Sequence, residues 1–138
     1  MNRVFVDTAA WLALLNADDV WNPQASNIRS DLDRRRYIFV TTDFVQLEDA
    51  DALCAPRYRK STANFLTQVY HLKSTQVVAL SQDLLRQGLK LYSERLDKDW
   101  GLTDCTSFIV MQQQGLSLAF TSDKHFEQAG FTRLLVWD

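Results

Sequence analysis

The chain has 138 residues, enough for one domain whose core needs no disulfide staples. Hydrophobic residues make up 46% and charged residues 23%, which excludes intrinsic disorder, while 4 glycines and 2 prolines exclude low-complexity or collagen-like chains and favour long elements with short loops. With 15 basic against 17 acidic residues the net charge is −2, so no global positive field holds nucleic acid; a local patch or a bound cation must supply that attraction.

Val4-Phe5-Val6 is a short β-rich run that stops at Asp7. Residues 8–16 read as a helix with Thr8 as its N-cap. Pro23 stands near the start of a second helix to about residue 36, with Ala25, Ile28 and Leu32 at helical spacing. Residues 37–41 read as the second strand. A helix over 43–53 repeats Phe44, Leu47, Ala50 and Leu53 every third residue. Another amphipathic helix spans 59–71, and 76–80 is the third strand. Ser81 caps the next helix, whose apolar face holds Leu84, Leu85, Leu89, Leu91 and Tyr92. After a loop containing Asp97 and Asp99, residues 103–114 form a helix with Cys105, Phe108 and Ile109 inward, closed by Gly115. Residues 116–121 and 131–136 are the fourth and fifth strands.

Strands alternating with helices imply βαβ units. The predicted fold is α/β: a three-layer α/β/α domain over residues 1–138 with a mostly parallel five-stranded sheet and right-handed crossovers. No apolar run approaches the ~18–20 residues of a membrane span. Asp7 interrupts the apolar segment a signal peptide would need. Cys54 and Cys105 form no CxxC pair, and His71 and His125 are too few to complete a zinc site. Reduced thiols in a cytoplasmic compartment follow as the expectation.

Ligands of an open parallel sheet bind outside the carboxyl ends of its strands. Asp7 directly follows strand one, and Asp123 comes shortly after strand four. Asp104 lies in the first turn of its helix, and Glu48 about two turns after strand two. Taken singly, each has an ordinary role as a helix cap, a dipole partner or a surface charge. Taken together at one sheet edge, they repel. At a few Å and an effective dielectric near 20, each like pair costs on the order of several kcal/mol. Protons or a cation must neutralise such a cluster. Dense carboxylate oxygens are the ligand set of Mg²⁺ or Mn²⁺.

Four segments carry a family resemblance. Residues 4–11 (VFVDTAAW) resemble the opening motif of PIN domains, 41–48 (TTDFVQLE) the second, 102–108 (LTDCTSF) the third and 120–131 (FTSDKHFEQAGF) the fourth. The bacterial toxin group of PIN ribonucleases, the VapC-like proteins, is the most similar. The likeness runs from Val4 to about Leu135. It implies a Mg²⁺-dependent endoribonuclease, with Mn²⁺ as a substitute, that hydrolyses phosphodiester bonds of single-stranded or loop RNA. It implies a homodimer held inactive by a small antitoxin protein. Position by position, it implies that Asp7, Glu48, Asp104 and Asp123 are the catalytic, metal-binding acids, with Thr8 and Ser107 as supporting hydroxyls. Asp49 and Asp51 make the second motif more acidic than the family pattern, and Asp97 and Asp99 add acid upstream of Asp104.

The residue types suit the chemistry, because cations on carboxylates activate water, stabilise the phosphate and assist the leaving oxygen. In this reading Asp7 and Asp104 hold the principal ion. Glu48 orients a water or binds a second ion, and Asp123 binds the second ion or acts through water. A metal-free ribonuclease would need paired acid–base groups. His71 reads as a surface residue and His125 as a local packing or hydrogen-bonding residue. A phosphoacceptor would want two adjacent acids after strand one and a Lys after the last strand, and Thr8 and Trp137-Asp138 stand there instead. The alternative is a catalytically silent PIN-fold module that binds an RNA or protein partner. Arg34–Arg36, and Arg57, Arg59 and Lys60, read as solvated helix ends or as phosphate contacts. Trp11 reads as core or dimer interface; Trp100 is the one tryptophan near the expected site, with packing the favoured reading and stacking on a base the lesser one.

Overall fold

A computed structural model describes residues 2–137. In chain order the elements are β1 (Arg3–Val6), α1 (Thr8–Leu15), α2 (Asn22–Arg34), β2 (Ile38–Thr42), α3 (Asp43–Ala52) and α4 (Pro56–Val69). There follow β3 (Thr75–Val78), α5 (Gln82–Glu94), α6 (Leu102–Gln114), β4 (Leu118–Phe120), α7 (Lys124–Gln128) and β5 (Thr132–Arg133). The sheet order is β3-β2-β1-β4-β5, and every neighbouring pair is parallel. The α/β class with a five-stranded parallel sheet is thus the one expected. From β1 the chain steps outward to β2 and β3, then returns past β1 to β4 and β5. The reversal makes the β1–β4 boundary the switch point where such sheets bind ligands.

The central strand β1 is apolar because helices cover both its faces: Val4, Phe5 and Val6 have no exposed surface. Phe108 of α6 packs edge-on against Trp100 at 5.0 Å and Phe126 at 4.9 Å between ring centres. Each such ring contributes about 1.5–3 kcal/mol by leaving water. Trp11 belongs to this core and donates its indole N–H to the Thr41 hydroxyl at 3.2 Å.

Several boundaries differ from the sequence expectation for local reasons. α4 starts at Pro56, since proline lacks the N–H that a first helical residue leaves unpaired. Asp7, not Thr8, is the N-cap residue of α1; its side chain makes no cap bond because it turns toward Thr121. The β5 ladder is only two residues long, but Leu134 and Leu135 continue bonding to Ala119 and Thr121 carbonyls. The short α7 has no apolar periodicity, since its one turn buries a single residue, Phe126.

Gly88 lies inside α5 where an added Cβ would meet Thr106 Cγ2 at 2.6 Å and the Thr106 backbone nitrogen at 3.2 Å. Its absent side chain lets α5 sit tightly on α6. In an open helix Gly→Ala gains about 1 kcal/mol. Here the contact reverses the sign: Gly88→Ala should lower the melting temperature. Adding Thr106→Ser, which removes the colliding methyl, should recover most of the loss. Equal melting of Gly88→Ala and wild type would show that the helices separate freely.

Candidate metal centre

The sheet edge at the switch point gathers acids from the end of β1, the first turn of α6 and the cap of α7. Asp7 ends β1 and is 3% exposed. Its backbone N–H still pairs with the Phe120 carbonyl, so the β1–β4 ladder fixes its position. The Thr121 hydroxyl donates to Asp7 Oδ2 at 2.8 Å, across the reversal itself. Burial, with Asp104 and Asp123 adding like charge, pushes the Asp7 carboxyl up to about 7, against the Thr121 bond.

Asp104, in the first turn of α6, accepts the Gly101 N–H at 3.2 Å. Asp123 is the N-cap of α7 and accepts the His125 N–H at 2.9 Å. Both therefore perform the ordinary capping role while pointing into one cluster. His125 sits among them, with Nδ1 at 3.0 Å from Asp104 and 3.3 Å from Asp123, and Nε2 at 3.1 Å from Asp99. Burial raises the Asp104 carboxyl and Asp123 raises it further, while the His125 bond opposes them. Burial also works against the His125 imidazolium, but Asp104, Asp123 and Asp99 together lift its pKa above the usual value.

Glu48 stands apart. It lies exposed on α3 and accepts the Thr8 hydroxyl at 2.9 Å. Thr8 thus supports the site's rim rather than capping α1. Ser107 is buried and spends its hydroxyl on the Thr103 carbonyl at 3.1 Å.

Two residues at the edge exceed the sequence expectation. His125 is more than a local packing residue: one ligand atom each from Asp104, Asp123 and His125 lie within 4.8 Å of one another. The signal was its place two residues beyond Asp123. Asp49 has no exposed surface, and neither carboxylate oxygen has a partner; Gln46 Oε1, one turn earlier, is likewise unpaired. Burial, then the charges of Asp7 and Glu48, push Asp49 up to about 9. The extra acid in the second motif was visible in the sequence, but its burial was not. Asp99 reaches the site through His125, whereas Asp97 is turned away by Arg95, which binds it with two nitrogens at 3.0 Å.

Trp100 and the basic run each take the ordinary one of their two readings. Trp100 is 5% exposed, donates to Gln128 at 2.9 Å and carries the Arg95 guanidinium on its ring, so it has no free face for a base. In the basic run, Arg34 and Arg35 pair with Asp31. Arg36 takes the left-handed conformation that ends α2, with φ of 59°.

The donor set fits a divalent cation. The carboxylates supply the hard oxygens that Mg²⁺ and Mn²⁺ take. Buried acids without counter-charge are what a cation would relieve.

The PIN domain pattern matches residues 4–132. The chain belongs to the PIN-domain family. It is similar to the 23S rRNA-specific endonuclease VapC20 of two Mycobacterium tuberculosis strains, each 26% identical over 131 residues. Those alignments cover 95% of this chain and 97% of the relatives. The crystal structure of M. tuberculosis VapC20, described as a Sarcin-Ricin loop cleaving toxin, superposes with a TM-score of 0.84 at 24% identity. The superposition covers 94% of this chain and 96% of that one. The two chains therefore share a fold.

This PIN domain should lose stability as pH rises. Asp7 and Asp49 hold protons in the folded state that the unfolded chain releases near 3.8. Stability is then fully present below that value and declines through about 7 for Asp7 and about 9 for Asp49. The slope is at most about 1.4 kcal/mol per pH unit for each group. Urea midpoints measured without divalent ions should fall from pH 5 to 8, and Asp49→Asn should fall less steeply. Parallel curves would mean that Asp49 finds a counter-charge or stays solvated.

Proposed function

We propose that this chain is a divalent-cation-dependent endoribonuclease and the toxin of a toxin–antitoxin pair. In this reading one PIN domain spans residues 1–138, forms homodimers in the cytoplasm and is restrained by a small antitoxin protein. The observation that carries the reading is the convergence of Asp104, Asp123 and His125 donor atoms within 4.8 Å, beside buried Asp7 at the sheet's switch point. The similarity to VapC20, named as an endonuclease of 23S rRNA, supports RNA as the substrate. Among the described residues no helix is long and apolar enough to cross a membrane.

Asp7, Asp104 and Asp123 would hold Mg²⁺, with Mn²⁺ as a substitute, and Glu48 would complete the acidic quartet. The cation, when bound, supplies Lewis-acid activation of water and charge neutralisation at the phosphate. The chain's residues do the rest. The Thr121 hydroxyl and the β1–β4 ladder fix Asp7, so its carboxylate needs no reordering when the phosphate arrives. Capping bonds fix Asp104 and Asp123 in the same way. Glu48, the exposed member, would orient a water or bind a second ion, while the Thr8 hydroxyl holds one of its oxygens. His125 balances the charge of the carboxylates around it and keeps Asp104 and Asp123 at a fixed separation.

Purified protein should cleave RNA in Mg²⁺ or Mn²⁺ and stop when EDTA is added. Asp104→Asn keeps the shape but removes a charged ligand, so cleavage should fall by ~10²-fold or more, the range of losses at preorganised electrostatic groups. If Asp104 served only as a helix cap, the variant would keep its activity and lose about 0.5–2 kcal/mol of stability. Activity that survives EDTA would point to a metal-free mechanism instead.

A further inference from the structure

Beside the acidic edge lies a cavity of about 410 Å³, lined by Tyr92, Arg95, Leu96, Lys98, Asp99, Trp100 and Cys105. It connects to the acids at two points. Asp99 on its wall touches His125 Nε2 at 3.1 Å, and Cys105 in its floor follows Asp104 in α6. Its volume lies in the ~300–1,000 Å³ range of small-ligand clefts. At the rim, Leu96 is 90% exposed and Tyr92 is 50% exposed. Both are apolar surfaces that the folded protein leaves uncovered. Trp100 forms a rigid inner wall, because Phe108 and Arg95 pin its ring.

We propose that this cavity takes one unpaired nucleobase of the RNA strand, next to the phosphate being cut. The inference rests on the ribonuclease reading above and deepens it by assigning a specificity subsite. A nucleobase is a flat apolar ring with polar edges, and the cavity offers the complement. Tyr92 supplies a ring to stack on and Leu96 an apolar edge. Asp99 presents a carboxylate, and a carboxylate accepts from the amino groups of a base edge. Arg95 and Lys98 at the mouth of the cavity both pair with Asp97, so they order the rim rather than supply free positive charge. Arg95 is already held by Asp97 and by the Trp100 ring, so its position is set before any strand binds. With Trp100 packed, the ring available for stacking is Tyr92, near the end of α5 and before the Asp97–Asp99 loop.

The test uses the full chain with Mn²⁺ and an RNA pool of randomised sequence between fixed flanks, with the cut ends sequenced. Wild type should prefer particular bases at one position near the cut. Tyr92→Ala should weaken that preference and raise KM about tenfold, the scale of one lost base stack, with kcat little changed. Tyr92→Phe should keep the preference, since the ring remains. Leu96→Ser, at a site too exposed to affect folding, should shift KM in the same direction by less. Wild-type selectivity and KM in both Tyr92→Ala and Leu96→Ser would overturn the proposal and leave the cavity to a protein segment. So would Tyr92→Phe behaving like Tyr92→Ala. A wild type that cuts no RNA would refute the ribonuclease reading and the subsite with it. One that cuts while the variants match it would refute the subsite alone.

Discussion

The bond from the Thr121 hydroxyl to the Asp7 carboxylate, 2.8 Å long, crosses the one place where the sheet reverses its direction of growth. On one side of that bond the chain has already laid down β1; on the other it has wound through β2 and β3 and come back as β4. The parallel β1–β4 ladder sets the two strand ends side by side, and burial of Val4, Phe5 and Val6 keeps them there. A carboxylate at that point is shielded from water by the same packing that places it. The fold's stability therefore works against the ionisation of Asp7, and the neighbouring acids add to the opposition.

That tension gives the other residues their meaning. Asp104 and Asp123 each bond to a backbone N–H at the start of a helix, so local capping brings them to the cluster. His125 shares its two ring nitrogens among Asp104, Asp123 and Asp99, and these charges favour its protonated form. Asp49 has no such partner and sits behind Asp7 and Glu48 as an uncompensated buried acid. An edge that holds this much like charge is preorganised for a cation. Structural roles and chemical roles coincide here: the caps that begin α6 and α7 are also the candidate ligands.

Much of this was legible in the sequence. The strands β1 and β2 announced themselves by apolar runs that stop at a polar residue, as at Val6-Asp7, and the alternation with helices determined the class. Asp7 and Asp123 were legible because strand ends are where a parallel sheet presents its ligands. What escaped was set by contacts between distant segments. The place of His125 among three carboxylates depends on the loop that brings Asp99 beside α7, which no local pattern encodes. The burial of Asp49 follows from the packing of α3 against α1 and α6, which buries Val45, Gln46 and Asp49 and leaves Leu47 exposed, whereas the three-residue spacing points to the Phe44, Leu47, Ala50 and Leu53 face. Trp100 adjoins an acidic loop, but the favoured packing reading holds: Phe108, Gln128 and Arg95 occupy its edges and face.

The claim on which the rest stands is that the folded edge carries repulsion that a cation removes. Thermal denaturation of wild type and Asp7→Asn, each with and without Mg²⁺ at one pH near neutrality, tests it most directly. The account predicts that Asp7→Asn melts no lower than wild type without metal, because one unfavourable charge is gone. It predicts that Mg²⁺ raises the melting temperature of wild type by mass action and that of Asp7→Asn by much less. An equal Mg²⁺ effect on both proteins, or a metal-free Asp7→Asn that melts well below wild type, would contradict it.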